Sequence, residues 1–206
     1  MRNITLSGFV LILANIVPII GVLFFSWAPM DVIFIYWLET LFIGFFNIIK
    51  MIFAPEKYFF YKFIFIPLFI LIFGAFQAFQ GVFILKVIPH LIQQFTGEYI
   101  EIAILGYVDY LFWSSLALLL SHLFSLIWNF FLLKEYQTAD MSILMVQPIP
   151  RVFFQQCITV FGCFALLISN SPLVLMILVI LAKIYIDLKA HLKSHKSINE
   201  VESGST

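Results

Sequence analysis

Six runs of about twenty mainly apolar residues leave this chain few ways to fold outside a bilayer. They cover residues 6–26, 31–53, 60–86, 106–132, 151–169 and 172–190. A helix of about 20 such residues crosses a hydrocarbon core of ~30 Å with every backbone N–H and C=O bonded inside the segment. Composition removes the alternative of a soluble core. Of the 206 residues, 63% are hydrophobic and 11% charged, where a soluble domain carries roughly 25% charged residues. The expected fold is all-α, a polytopic transmembrane bundle of about six helices over residues 1–194. Residues 195–206 are expected to form a polar, disordered cytoplasmic tail. The lipid bilayer of a cell membrane is the expected partner, and a homo-oligomer is compatible with such a bundle. With 11 basic and 11 acidic residues, the balanced charge argues against nucleic-acid binding.

Arg2 followed by an apolar run resembles a secretory leader, but the run from Leu6 to Phe25 exceeds the ~7–15 residues of a leader's apolar region. Ser26-Trp27-Ala28-Pro29 reads as a turn, with no small-residue cleavage site. A retained first span is expected. The basic residues orient the bundle. With the N-terminus cytoplasmic, Arg2, Lys50, Lys57, Lys62, Lys134, Arg151, Lys189, Lys193 and Lys196 fall on or near that side. Lys86 alone is clearly outside, while Asp31, Glu98, Glu101 and Asp109 fall to the outer loops. Both termini are then cytoplasmic. Trp27, Tyr107, Tyr110 and Trp113 fall where an outer aromatic belt belongs. Residues 88–103, with Pro89, His90, Gln93, Gln94 and Gly97 among apolar residues, suggest a short interfacial helix on the outer surface.

Polar residues inside the spans need partners, because an ionisable group at bilayer depth costs about 2.5–3.5 kcal/mol on insertion scales. Glu39 in the second span is the clearest: as a proton carrier, ion ligand or catalytic carboxylate, or as a structural group held by a neighbouring Lys, Tyr or Trp. Ser115, His122 and Asn129 recur every seven residues in the fourth span, with Ser125 beside them, a stripe that must face protein. Arg151, Gln155, Thr159 and Gly162 share a face of the fifth span, where Arg151 could also anchor to lipid phosphate. Gly74, Gln77, Ala78 and Gly81 in the third span suggest close helix packing. Lys183, Asp187 and His191 follow at intervals of four in the sixth. A carboxylate one turn from an imidazole can orient it for metal binding or proton transfer, so His122, Asp187 and His191 are the candidate metal ligands. The bland reading makes the same residues a solvated helix end with cations at its C-terminus. Cys157 and Cys163 fit neither zinc nor redox spacing and read as core thiols. No cofactor is specified.

Depth separates these groups. In the stated orientation His122, Asn129, Arg151, Gln155, Asp187 and His191 belong to the cytoplasmic half, Glu39 to the outer half and Lys183 near the middle. No single cluster of all of them is expected. A polar path from Glu39 through Lys183 to Asp187 and His122 is geometrically open. The chain carries no Gly-x-Ser-x-Gly nucleophile, His-Glu-x-x-His zinc site, paired Glu-Glu, Walker loop or Rossmann glycine pattern.

Asn15-x-x-Pro18-x-x-Gly21, Trp27, and Tyr36-Trp37-x-Glu39 with Gly44, Asn47 and Lys50 resemble a family of uncharacterised prokaryotic polytopic membrane proteins, a domain of unknown function. The resemblance extends through Arg151, Gly162, Lys183, Asp187 and His191 to nearly the whole chain. Thr40 departs from the Asn that the family's pattern carries there. The resemblance implies the membrane bundle and singles out the same polar residues, and it implies no reaction. Three functions therefore stand open: movement or sensing of a small ion or solute, a membrane enzyme or metalloprotein on the cytoplasmic side, and a structural or accessory subunit.

Overall fold

The computed structural model describes residues 29–55, 59–97 and 109–168, with Val17, Ile20, Gly21, 23–25 and Trp27 before them. The expected spans at 6–26 and 172–190 and the tail at 195–206 lie largely or wholly outside these residues. Among the described residues the chain is helical, without strands. Helix α1 is Pro29–Ile52, with Asp31 in its first turn and Lys50 in its last, both matched to the helix dipole. Its C-terminus is closed from the next helix, where Lys62 Nζ donates to the carbonyls of Ile52 (2.8 Å) and Ala54 (2.7 Å).

Helix α2 is Phe59–Val82 and does not end where the apolar run does. A π-helical turn, Phe83–Val87, leads directly into α3, Ile88–Thr96. The turn has a local cause. Pro89 has no N–H, and its ring would meet the carbonyl four residues back, at Leu85. The wide turn, in which the Ile88 N–H reaches the Phe83 carbonyl, gives that carbonyl room. Residues 88–96 therefore continue directly from the helix of the third apolar run. Ile84, Ile88 and Ile92 pack on Met30, Ile33 and Phe34 of α1. Gly97, at φ 73°, ends the helix with its N–H on the Gln93 carbonyl at 2.9 Å.

Helix α4, Asp109–Ser125, runs into a second π-helical stretch, Leu126–Leu132. Lys134, at φ 57°, turns the chain back. A short helix α5, Met141–Val146, is capped by the Asp140 carboxylate, which accepts from the Ser142 N–H at 2.8 Å. Helix α6 is Ile149–Ile168.

Contacts fix the helix directions. On α1, Met30, Ile33 and Phe34 meet Ile84, Ile88 and Ile92, while Met51 meets Phe69 and Phe73, so α1 and α2–α3 are antiparallel. Asp31 meets Tyr110, Glu39 meets His122, and Phe46 meets Leu126 and Phe130, so α1 and α4 are parallel. Val152 of α6 sits with Met51, and α6 then reaches α3, antiparallel to α1. Among the described residues three helices are long and apolar enough to cross a membrane: Met30–Ile52, Phe59–Phe95 and Tyr110–Leu132. Phe60, Phe63 and Leu71 of α2 expose 82%, 69% and 69% of their surface, a face suited to lipid and not to water.

Two glycines let α2 approach α1. A Cβ on Gly44 would fall 2.2 Å from the Phe73 ring, and one on Gly81 would fall 2.7 Å from the Trp37 ring. Gly74 and Ala78, expected to share in this packing, are exposed, and nothing lies within 4 Å of a Cβ on Gly74. Trp27 also departs from its expected place. It is buried and stacked on Tyr110 at 4.6 Å, whereas Trp113 is 63% exposed in the manner of a belt residue. Gly44→Ala is expected to lower stability in detergent by about 1–3 kcal/mol through overpacking. Gly74→Ala is expected to leave it unchanged or raise it, as thermal unfolding of the two variants will show.

Candidate functional site

Glu39 lies ~15 Å along α1 from its first residue and is 1% exposed. Two helices converge on it. Arg151 of α6 donates from Nη2 to Glu39 Oε1 at 2.9 Å, and His122 Nε2 of α4 lies 3.3 Å from the same oxygen. The Arg151 and His122 side chains are themselves 19% and 13% exposed. Arginine keeps its proton in any protein environment, so the Glu39–Arg151 contact is an ion pair. The His122 contact is an ion pair only when its ring is protonated.

The turn after α4 explains how Arg151 comes so deep. From Lys134 the chain folds back, and α5 packs Met141 and Leu144 against Met51, Phe69 and Phe73. The Asn47 side chain donates from Nδ2 to the Leu144 carbonyl at 2.7 Å, tying α5 to α1 two turns from Glu39. Helix α6 thus begins beside α1, with Ile149 and Pro150 exposed and Val152 buried. A cation in a helix's first turn is disfavoured by the dipole, and Glu39 offsets that cost for Arg151. The sequence places Arg151 at the cytoplasmic edge and Glu39 in the outer half; the structure brings them into contact. Reach along the guanidinium side chain, from a helix that starts beside α1, closes the gap that helix counting leaves.

Around this centre the interior is polar. Thr40, next to Glu39, has its hydroxyl 2.7 Å from the Trp37 carbonyl and 2.9 Å from the Gln77 side-chain oxygen. One hydroxyl proton cannot serve two acceptors, so the Gln77 carboxamide is assigned with its nitrogen toward Thr40. That assignment gives the buried nitrogen the partner it otherwise lacks. The Trp37 indole N–H donates to the Gln77 carbonyl at 3.1 Å. Gln155 and Thr159 of α6 are buried, and the Thr159 hydroxyl donates to the Gln155 carbonyl at 3.0 Å. On α4, Asn129 Nδ2 donates to Ser125 Oγ at 3.1 Å.

Of the residues singled out in the sequence, Glu39, His122 and Arg151 come together. Lys183, Asp187 and His191 lie outside the described residues. Among the described residues no three His, Cys, Asp or Glu side chains gather in a way that could hold a metal. Sequence reasoning missed the partners of Asp31 and Asn47, although a signal was present. Asp31, Glu39 and Asn47 recur every eight residues, and each step of eight turns a helix by about 80° beyond two full turns. The three therefore wind around α1 and meet α4, then α4 with α6, then α5.

The pair has an energetic signature. Arg151→Met should destabilise the protein by about 3–5 kcal/mol, because Glu39 keeps a buried charge. Glu39→Met with Arg151→Met should cost less than the two single changes added. Thermal unfolding of the four proteins measures the coupling, and strict additivity would refute the contact.

A search of curated proteins and a search of solved structures each give no match. A family model matches residues 1–203, and the chain belongs to that family, the family of unknown function DUF6498.

Proposed function

We propose that this is a six-span membrane protein, with both termini cytoplasmic, that moves or senses protons or another small ion at Glu39, His122 and Arg151. The observation that carries the reading is the sharing of one carboxylate oxygen by Arg151 and His122 from two different helices. Alternating helix directions, with α1 and α4 parallel and α2–α3 and α6 opposed, support the six-span arrangement. With His122 neutral, Glu39 and Arg151 balance each other in a low-dielectric setting, where charge interactions are strong. A proton on His122 adds a second cation to the same oxygen. The Glu39–His122 contact then strengthens at the expense of Arg151, and the pull on the start of α6 weakens. A proton is thereby converted into a change in how α6 is held against α1. A ligand shifts such an equilibrium only by its differential affinity for the two arrangements, and competition for Oε1 supplies that difference.

Proteoliposomes carrying a pH-sensitive dye test this directly. The wild type should carry a proton or coupled-ion flux that depends on pH. His122→Gln should flatten that pH response, and Glu39→Gln should reduce flux to the level of protein-free vesicles. If both variants match an active wild type, the reading fails. Single cysteines replacing Lys57 and Gln137, in a chain lacking Cys157 and Cys163, should react from the cytoplasmic face. A cysteine replacing Glu98 should react only from the opposite face.

A further inference from the structure

The buried stripe of α2 changes character at its centre. Phe69 and Phe73 pack in one apolar cluster with Met51 and Val152, and Ile84 and Ile88 pack in another with Met30 and Ile33. Between the two the stripe holds Gln77 and Gln80, which are 2% and 0% exposed. A carboxamide shut away from solvent loses water's hydrogen bonds and needs other groups to replace them. Gln77 meets the Thr40 hydroxyl. Gln80 has no such contact: among the described residues neither its Oε1 nor its Nε2 has a hydrogen-bond partner.

Helix geometry brings the two carboxamides together. Positions three apart share a face, and helical side chains lean toward the N-terminus, so Gln80 lies over the turn that carries Gln77. The Trp37 indole on the Gln77 carbonyl and the Thr40 hydroxyl on its side chain fix this level against α1. Helix α6 carries a further such atom at the matching place. It runs in the same direction as α2, and Val152 shares the cluster of Phe73. One turn beyond Phe73 stands Gln77. One turn beyond Val152 stands Gln156, whose Oε1 is buried without a partner. The partnerless carboxamide atoms of both helices thus fall at one depth.

We infer that Gln80, with Gln77 beside it, binds water inside the bundle at the level of Thr40. The carboxamide itself selects the ligand. It presents an acceptor and two donors at once, so its complement must both donate and accept. A bare metal cation would meet the oxygen and leave the N–H groups unpaired, and an anion would do the reverse. Water does both, and it is the smallest molecule that can. Buried waters ordinarily sit on otherwise unpartnered polar groups in this way, with about three hydrogen bonds each. The site is uncharged and shares no residue with the Glu39, His122 and Arg151 cluster, so it stands or falls apart from the ion reading.

The full-length protein in lipid bilayers, with side-chain nitrogen labels on glutamine, tests this by transfer of water proton magnetisation to each carboxamide. Gln93 and Gln94 are exposed; they should receive it and lose their signals to a gadolinium chelate in the buffer. Gln80 should receive it too, and keep its signal when the chelate is added. Gln80→Met identifies that signal by its loss; Gln80→Asn, which shifts it, serves where the methionine variant does not fold. A Gln80 carboxamide that receives no water magnetisation, or that the chelate quenches along with Gln93, overturns the site. Stability gives a second reading. A carboxamide that simply lacks partners is a net cost, and Gln80→Met would then raise the unfolding temperature. A hydrated one is satisfied, and Gln80→Met should lower that temperature by leaving the water short of a partner. A rise overturns the site.

Discussion

A carboxylate in the middle of a membrane helix is tolerable only where protein supplies its counter-charge, and the packing around Glu39 follows from that requirement. Lipid offers neither a cation nor a hydrogen-bond donor. Glu39 must therefore face inward, which sets the rotation of α1. Its partners must arrive from other helices, which places α4 and α6 beside it. Arg151 reaches it from the first turn of α6, which the backfold from Lys134 through α5 sets beside α1. Asn47 secures the backfold by holding the Leu144 carbonyl. One buried charge thus accounts for the orientation of three helices and for the backfold between α4 and α6.

A buried ion pair seldom adds net stability, since desolvating two charges costs about as much as their attraction returns. Its presence is therefore weak evidence for stability, and the proposed switching rests on His122 sharing the same oxygen. The π-helical stretch Leu126–Leu132 begins four residues after His122. Such widened turns store a register that can relax to α, and they occur often at functional sites. Asn129 and Phe130 lie within it, with Phe130 packed on Phe46 of α1. Oε1 thus lies beside the π-helical stretch of α4 and the first turn of α6.

Much of this was legible in the sequence, and the remainder was hidden for physical reasons. Apolar runs announce helices because bilayer thickness sets their length, and α1 and α4 fall where those runs are. Glu39, His122 and Arg151 stand out because polar residues are costly there. What escaped was their convergence. Depth estimated from span boundaries leaves out the reach of a long side chain, and Arg151 spans the difference to Glu39. The extension of α2 through Pro89 was hidden for a different reason: proline usually stops a helix, and only a widened turn lets this one pass. Trp27 reads as an interfacial aromatic from composition, but Gly21 opens a place for it inside. The eight-residue recurrence of Asp31, Glu39 and Asn47 was readable, and it becomes meaningful once three different neighbours are seen to surround α1.

The contact between Glu39 and Arg151 can be measured in lipid without perturbing it. The chain holds two arginines, Arg2 and Arg151, so guanidinium nitrogen labels combined with carboxyl-carbon labels on glutamate give a simple spectrum. Rotational-echo double-resonance NMR in bilayers should show a strong coupling between the Glu39 carboxyl carbon and an Arg151 guanidinium nitrogen. Arg151 should show none to lipid phosphorus. A guanidinium coupled to phosphate and not to Glu39 would place Arg151 at the membrane surface and contradict the account.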